Sequence, residues 1–80
     1  MMDKKVGVDC IFNEDGSVRI KRIMFDEGWI PVEQGRQWVD HIGRHALIRL
    51  LDGGVYEICL RSDTMIWWLA GIEDRHTWLV

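Results

Sequence analysis

Long apolar runs are absent from this sequence, and proline and cysteine are rare. The 80-residue chain has one proline and two cysteines, and its longest nearly uncharged apolar stretch covers only residues 65–72. A membrane helix needs roughly 20 such residues. Asp9 interrupts the apolar residues near the start, so no export signal is visible. We therefore expect a cytoplasmic chain with no membrane contact.

The patterns that mark metal centres and catalytic sites are also missing. Cys10 and Cys59 lie far apart with no CxxC motif. His41 and His45 are four residues apart, but Gly43 between them weakens the helix that would present both to one metal ion. Acidic pairs fall in turns, and no glycine-rich phosphate loop precedes a helix. The sequence therefore predicts no enzyme, no cofactor and no metal site.

The sequence also has no excess of basic residues. Lysine and arginine number 10 against 13 acids, so the net charge is −3, which gives no overall attraction to phosphate backbones or anionic lipid. Apolar residues make up 48% and charged residues 29%, as in ordinary globular proteins. The length of 80 residues predicts a single domain over residues 1–80, with 71–80 as a possible tail.

Short turns that contain glycine punctuate the chain and favour strands. The first hairpin is expected to join residues 6–12 to 18–25 through a three-residue loop at 14–16. The consecutive charges of Lys21 and Arg22 break the alternation and predict a β-bulge there. Three cross-strand pairs follow from this register: Phe12 with Val18, Cys10 with Ile20, and Asp9 with Lys21.

The second hairpin is expected to join residues 45–51 to 55–61 through the loop Asp52-Gly53-Gly54. That register sets Arg49 opposite Glu57, so the two charges attract across the strands. Alternation then divides the side chains between two faces. The predicted inner face holds Ala46, Ile48, Leu50, Tyr56, Ile58 and Leu60; the predicted outer face holds Leu47, Arg49, Glu57, Cys59 and Arg61.

The segment between the hairpins is harder to assign. Pro31 marks an edge, bulge or strand-start position because it lacks a backbone donor. Residues 33–44 are compatible with either a short strand or a helical turn. Residues 66–70 predict a final strand.

Adjacent tryptophans in that final strand carry the main structural clue. Successive strand side chains point to opposite faces, so one core cannot bury both Trp67 and Trp68. Facing Trp67 and Leu69 inward leaves the other face of the strand to form an apolar outer patch with the second hairpin. The candidate interaction residues on that patch are Leu47, Cys59, Ile66 and Trp68. The patch has two candidate covers, the tail at 78–80 or a second copy of the chain.

The order of turns and strand residues resembles that of a group of small uncharacterised bacterial all-β proteins. The resemblance spans most of the chain and implies an all-β fold. Its residues are Asp15-Gly16-x-x-Arg19, Ile23-x-Phe25, Gly28-Trp29-Ile30-x-Val32, Gly35-Arg36-x-Trp38, Leu47-x-Arg49, Asp52-Gly53-Gly54-Val55-Tyr56-Glu57-Ile58 and Trp67-x-Leu69. From the strand pattern we expect a small SH3-like or partly open barrel of five to six mostly antiparallel strands, with at most one short helix.

The leading functional hypothesis is a non-enzymatic interaction module that forms a homodimer or binds another protein through the outer face of its C-terminal strands. The alternative is a single-stranded nucleic-acid-binding protein. Small β-barrels of that class stack bases on aromatic side chains in a positive groove. The candidate nucleic-acid contacts are Arg19, Lys21 and Arg22, together with an exposed tryptophan.

Overall fold

The computed structural model describes residues 4–26 and 28–71, and these form eight β-strands with no helix among them. Of the predicted tail at 71–80, residue 71 ends the last strand, and residues 72–80 lie outside the described residues. The described part therefore holds no helix that could cross a membrane. The strands are β1 (Lys4–Lys5), β2 (Gly7–Phe12), β3 (Val18–Phe25), β4 (Gly28–Pro31), β5 (Glu33–Val39), β6 (Gly43–Arg49), β7 (Val55–Arg61) and β8 (Trp67–Gly71).

The strands form two antiparallel sheets. One sheet has five strands in the order β1-β8-β7-β6-β5, and the other has three in the order β2-β3-β4. The all-β prediction is confirmed, but the sheets do not close into a barrel. The described residues form eight strands, where the sequence predicted five or six. The chain crosses from one sheet to the other at Val6, between β1 and β2, and at Val32, between β4 and β5, so each of these segments counts as two strands.

The hydrophobic core lies between the two sheets. The three-stranded sheet contributes apolar residues from β3, and the five-stranded sheet contributes residues from β6, β7 and β8. Trp67 is partly buried and packs against this core, on the same side of β8 as Leu69. The buried cluster comprises Val18, Ile20, Ile23, Ala46, Ile48, Ile58 and Leu69.

The first hairpin has the predicted register up to the predicted bulge. Phe12 pairs with Val18 and Cys10 with Ile20. The register shifts between Cys10 and Asp9. Lys21 is the extra residue, so Asp9 pairs with Arg22 and not with Lys21 as predicted. The Arg22 Nε donates to Asp9 Oδ2 at 2.9 Å, which forms a charge pair across the bulge.

The predicted register of the second hairpin is wrong by two positions. Ile48 pairs with Tyr56, and Arg49 pairs with Val55 instead of Glu57. The three-residue loop is Leu51-Asp52-Gly53, because Leu50 N donates to Gly54 O at 2.8 Å just outside it. Gly53 takes the left-handed φ of 90° that the last position of such a loop requires. A shift of two preserves which face each side chain points to.

Gly16 closes the first hairpin with the same geometry, at a φ of 89°. In the second hairpin either of two adjacent glycines can fill that position, and the carboxylate of Asp52 selects between them. Its Oδ1 accepts a hydrogen bond from Gly54 N at 2.8 Å, which holds Gly54 at the start of the returning strand.

Two glutamine side chains join the sheets. β4 pairs only with the Arg22–Phe25 half of β3, so the backbone of Val18 and Ile20 has no strand on that side. Gln34 accepts from Ile20 N at 2.7 Å and donates to Val18 O at 2.9 Å. Gln37 accepts from Val18 N and donates to Val18 O, both at 2.9 Å. We call these four bonds the glutamine seam. Residues 33–39 form a strand and not a helical turn, because they pair with β6.

We predict that Gly43→Ala destabilises the fold while Gly28→Ala does not. A Cβ at Gly43 would overlap the Leu60 carbonyl oxygen of the neighbouring strand, whereas a Cβ at Gly28 meets nothing within 4 Å. The expected loss in unfolding free energy is on the order of 3 kcal/mol for Gly43→Ala, against less than about 1 kcal/mol for Gly28→Ala. Urea denaturation of both variants measures it; equal effects would show that β6 and β7 are not this close.

Candidate functional site

One row of side chains crosses the face of the five-stranded sheet that points away from the core. Trp38 pairs with His45, His45 with Cys59, and Cys59 with Trp68. Cross-strand partners share a face, so these four side chains lie side by side across β5, β6, β7 and β8. We call them the outer row.

His45 is the most tightly held member of the outer row. The residue is 6% exposed, and its ring stacks on Trp38 with centroids 5.1 Å apart and planes within 3°. Nδ1 lies 2.8 Å from Glu57 Oε2, and Nε2 lies 2.9 Å from Asp40 Oδ1. An ionised carboxylate only accepts hydrogen bonds, so with both carboxylates ionised both ring nitrogens donate, which is the protonated form of the ring.

The electrostatics agree with a charged ring. Burial disfavours the charged form of His45, but the hydrogen bonds and negative charges of Asp40 and Glu57 outweigh burial and raise the pKa of His45. The hydrogen bond from His45 in turn lowers the pKa of Asp40 below its ordinary value. His45 and Asp40 therefore titrate as a linked pair.

A tight turn brings Asp40 to the ring. Asp40 Oδ1 accepts hydrogen bonds from Ile42 N at 2.9 Å and Gly43 N at 3.2 Å, besides the bond from His45. Aspartate commonly organises turns in this way, through backbone donors two or three residues onward. The same oxygen thus shapes the turn between β5 and β6 and holds the histidine.

A cavity of about 320 Å³ opens beside the outer row. The Cys59 Sγ lies 3.9 Å from His45 Nε2 at this cavity. The Trp68 Nε1 is shielded from solvent and has no hydrogen-bond partner among the residues that the structure describes. The cavity is lined by Ile42, His45, Glu57, Cys59, Arg61 and Trp68.

Arg61 supplies the basic side of this cavity. Its guanidinium donates to both carboxylate oxygens of Asp63, at 3.1 and 3.0 Å. This pairing raises the pKa of Arg61 and lowers the pKa of Asp63. Acidic and basic side chains therefore lie close together at this cavity.

The predicted interaction residues separate into two groups. Cys59 and Trp68 come together as a cross-strand pair, and Ile66 lies half-buried just before β8. Leu47 was expected on the exposed patch, but it is fully buried. Alternation places Leu47 on this face, but the face is covered at that position, so Leu47 offers no surface to a partner.

The alternative candidates lie on the other sheet. Arg19, Lys21 and Arg22 are all exposed along β3. The Arg22 guanidinium lies 5.1 Å from the ring centroid of Trp29, which is 43% exposed. The exposed tryptophan that this hypothesis needed is therefore Trp29. Ile11, which pairs with Arg19, is also exposed.

Sequence reasoning missed the roles of Trp38, Asp40 and Glu57. It assigned Glu57 and Cys59 to the outer face but paired Glu57 with Arg49. It rejected His45 as a metal ligand and took it for a surface or turn histidine, whereas the residue is buried. A correct register was the missing signal, because it sets His45 directly opposite Cys59.

No protein family, curated protein or solved structure matches this chain. The resemblance to small bacterial all-β proteins stays a prediction.

We predict that stability falls as pH rises above about 6.5, the ordinary histidine pKa. The folded-state pKa of His45 is raised, so its contribution is complete below the unfolded-state value and is lost as pH rises through the folded-state value. Asp40 acts in the opposite sense, because its lowered pKa makes its contribution disappear only in acid. Urea denaturation between pH 5 and about 9 measures the decline.

His45→Gln should remove most of the decline above pH 6.5, whereas His41→Gln is the matched control and should retain it. His41 lies in the turn between β5 and β6, beside Asp40, and is exposed. If the loss of stability above pH 6.5 persists unchanged in His45→Gln, a group other than His45 causes it.

Proposed function

We propose that this chain is a non-enzymatic interaction module that self-associates through the outer face of β6, β7 and β8. The observation that carries the proposal is the position of Trp68 beside the cavity, on the opposite side of β8 from the core residue Leu69. A large aromatic ring beside a recess on a sheet face is typical of the residues that anchor interfaces. We propose the cytoplasm as the location of this module.

The apolar surface around Trp68 supports a partner that packs on this face. Apolar residues at the same end of the sheet add contact area, since Ile42 is 39% and Met65 66% exposed.

Charge complementarity favours a second copy as the occupant. Glu57 and Arg61 both line the cavity, and they carry opposite charges. In a two-fold contact the same patch faces itself, so an acidic group of one copy can face a basic group of the other. A domain of 80 residues also has a limited core, which a self-contact extends.

Light scattering tests this proposal across a range of protein concentrations. The unaltered chain is expected to show a dimer mass that dissociates on dilution. Trp68→Ala should stay folded, shift the mass toward monomer and make the melting temperature less dependent on concentration. Trp29→Ala removes an exposed tryptophan from the other sheet and should leave the dimer intact.

Other outcomes reject self-association. A monomer mass at every concentration rejects it outright, and deletion of residues 72–80 then separates the remaining covers. If that deletion lowers stability without changing the mass, the tail covers Trp68. Trp67→Ala provides the comparison for folding, because truncating a core tryptophan costs about 3–5 kcal/mol. If Trp68→Ala unfolds the chain as thoroughly, the outer face is not an interaction surface.

The second candidate function is binding of single-stranded nucleic acid on the outer face of β2, β3 and β4. The stack of Arg22 on the exposed ring of Trp29 favours it, because aromatic rings and arginines together hold bases and phosphates. Arg19 and Lys21 add positive charge on β3. Asp9 offsets part of this charge by pairing with Arg22.

Tryptophan fluorescence during titration with a thymidine oligonucleotide tests the second candidate. Binding through this face should be lost in Trp29→Ala, retained in Trp68→Ala and weakened steeply by salt. Binding that survives in Trp29→Ala, or that does not respond to salt, would falsify this assignment.

A further inference from the structure

We propose that Cys59 is a reactive thiol whose thiolate is stabilised by His45 and which forms mixed disulfides with small disulfides that enter the cavity. Three observations carry the proposal. The Cys59 Sγ lies 3.9 Å from His45 Nε2, each ring nitrogen of His45 lies within 2.9 Å of a carboxylate oxygen, and both residues line a cavity of about 320 Å³. The inference does not rest on self-association.

The chemical step is a thiol–disulfide exchange. Cys59 loses its proton to solvent, and the thiolate attacks one sulfur of a disulfide RS–SR. The Cys59–SR bond forms as the RS–SR bond breaks, and the electron pair leaves with RS⁻, which takes a proton from solvent. Cys59 is oxidised to the mixed disulfide, while the leaving half of the reagent is reduced to a thiol.

His45 acts as a fixed positive charge in this step and not as a base. A base needs an unprotonated ring nitrogen, but Glu57 and Asp40 occupy both nitrogens as acceptors. An imidazolium beside a thiol lowers the free energy of the thiolate. Glu57 therefore acts as a positioning residue, because its bond to Nδ1 fixes the ring orientation in which Nε2 lies 3.9 Å from Cys59 Sγ.

Positive groups near Cys59 stabilise its thiolate, and negative groups destabilise it. Positive groups are His45, Arg61 two residues along β7, and Lys5 of β1, whose Nζ lies 5.5 Å from the Trp68 ring centroid. Negative groups are Glu57 on the same strand, Asp40 in the turn between β5 and β6, and Asp63 beside Arg61. Asp40 matters most, because it competes with the thiolate for the same Nε2–H.

Substitutions of Asp40 and His45 should therefore change the reaction rate of Cys59 in opposite directions. Asp40→Asn keeps an oxygen acceptor for the backbone donors of Ile42 and Gly43 but removes the negative charge beside Nε2. A positioned imidazolium then predicts faster reaction of Cys59 in Asp40→Asn and slower reaction in His45→Gln. A merely accessible cysteine predicts no change in either variant.

Cys10 provides an internal comparison. It pairs with Ile20 and packs against the core between the sheets. Burial, and to a smaller extent the charge of Asp9, raises the pKa of the Cys10 thiol. Its thiolate is therefore scarce near neutral pH, and it lies apart from the cavity.

The experiment measures the rate of reaction with the neutral reagent dithiodipyridine as a function of pH. Cys10→Ser reports on Cys59 alone, and Cys59→Ser reports on Cys10 alone. Measurements use a protein concentration at which light scattering finds monomer, so that a dimer contact does not cover the cavity. Circular dichroism confirms that each variant is folded before it is compared.

We expect Cys59 to react faster than Cys10, and to be half-ionised below the pH of about 8.5 that is usual for a thiol. In the Cys10→Ser background, His45→Gln should slow the reaction at pH 6 on the order of tenfold, while the rates converge at about pH 9.5, where the thiolate is fully formed. Asp40→Asn should accelerate the reaction at pH 6. An unchanged profile in both variants, or an equal slowing at every pH, overturns the proposal.

Discussion

The glutamine seam is the constraint on which the two-sheet arrangement depends. Val18 and Ile20 are buried in the core, yet their backbone groups face away from any neighbouring strand on one side. Unpaired buried backbone groups are costly, so the core can form here only if something bonds to them. Gln34 and Gln37 do so with side-chain amides, which offer both a donor and an acceptor as a strand backbone does. The seam thus lets two sheets share a core without closing into a barrel.

The same strand positions the candidate site. β5 carries the glutamines toward β3, and it carries Trp38 to the opposite face, where the ring stacks on His45. A register shift between Gln34 and Gln37 allows both glutamines to serve the same stretch of β3. Packing of the core and orientation of the outer row are therefore coupled through one edge strand.

Local patterns in the sequence predicted local structure well. The loop at residues 14–16 and the alternation around Cys10 and Ile20 led to the observed register of the first hairpin, and the charges at Lys21 and Arg22 located its bulge. The second hairpin failed at one point, because Gly53 and Gly54 can both adopt a left-handed φ. The choice between them is made by a side-chain bond from Asp52, which residue spacing does not reveal.

Non-local structure was beyond sequence reasoning for a physical reason. The groups that hold His45 come from a turn and from a neighbouring strand, so their meeting depends on the register between β6 and β7. The seam likewise joins residues 14 to 19 positions apart through side chains that have no characteristic spacing. Exposure was also misjudged at Leu47, because alternation identifies a face but not whether that face is covered.

The short strand β1 has a consequence for aggregation. Lys4 and Lys5 pair with Leu69 and Trp68, which joins the two ends of the described chain at the side of β8. Contacts between such distant segments carry a high loop-closure entropy, and two residues supply few bonds to offset it. Local unfolding of β1 exposes β8 as an edge strand, and exposed edges are templates for pairing with other chains. While it is paired, β1 covers the edge of β8, and its two lysines place like charges on the strand that forms the edge of the sheet.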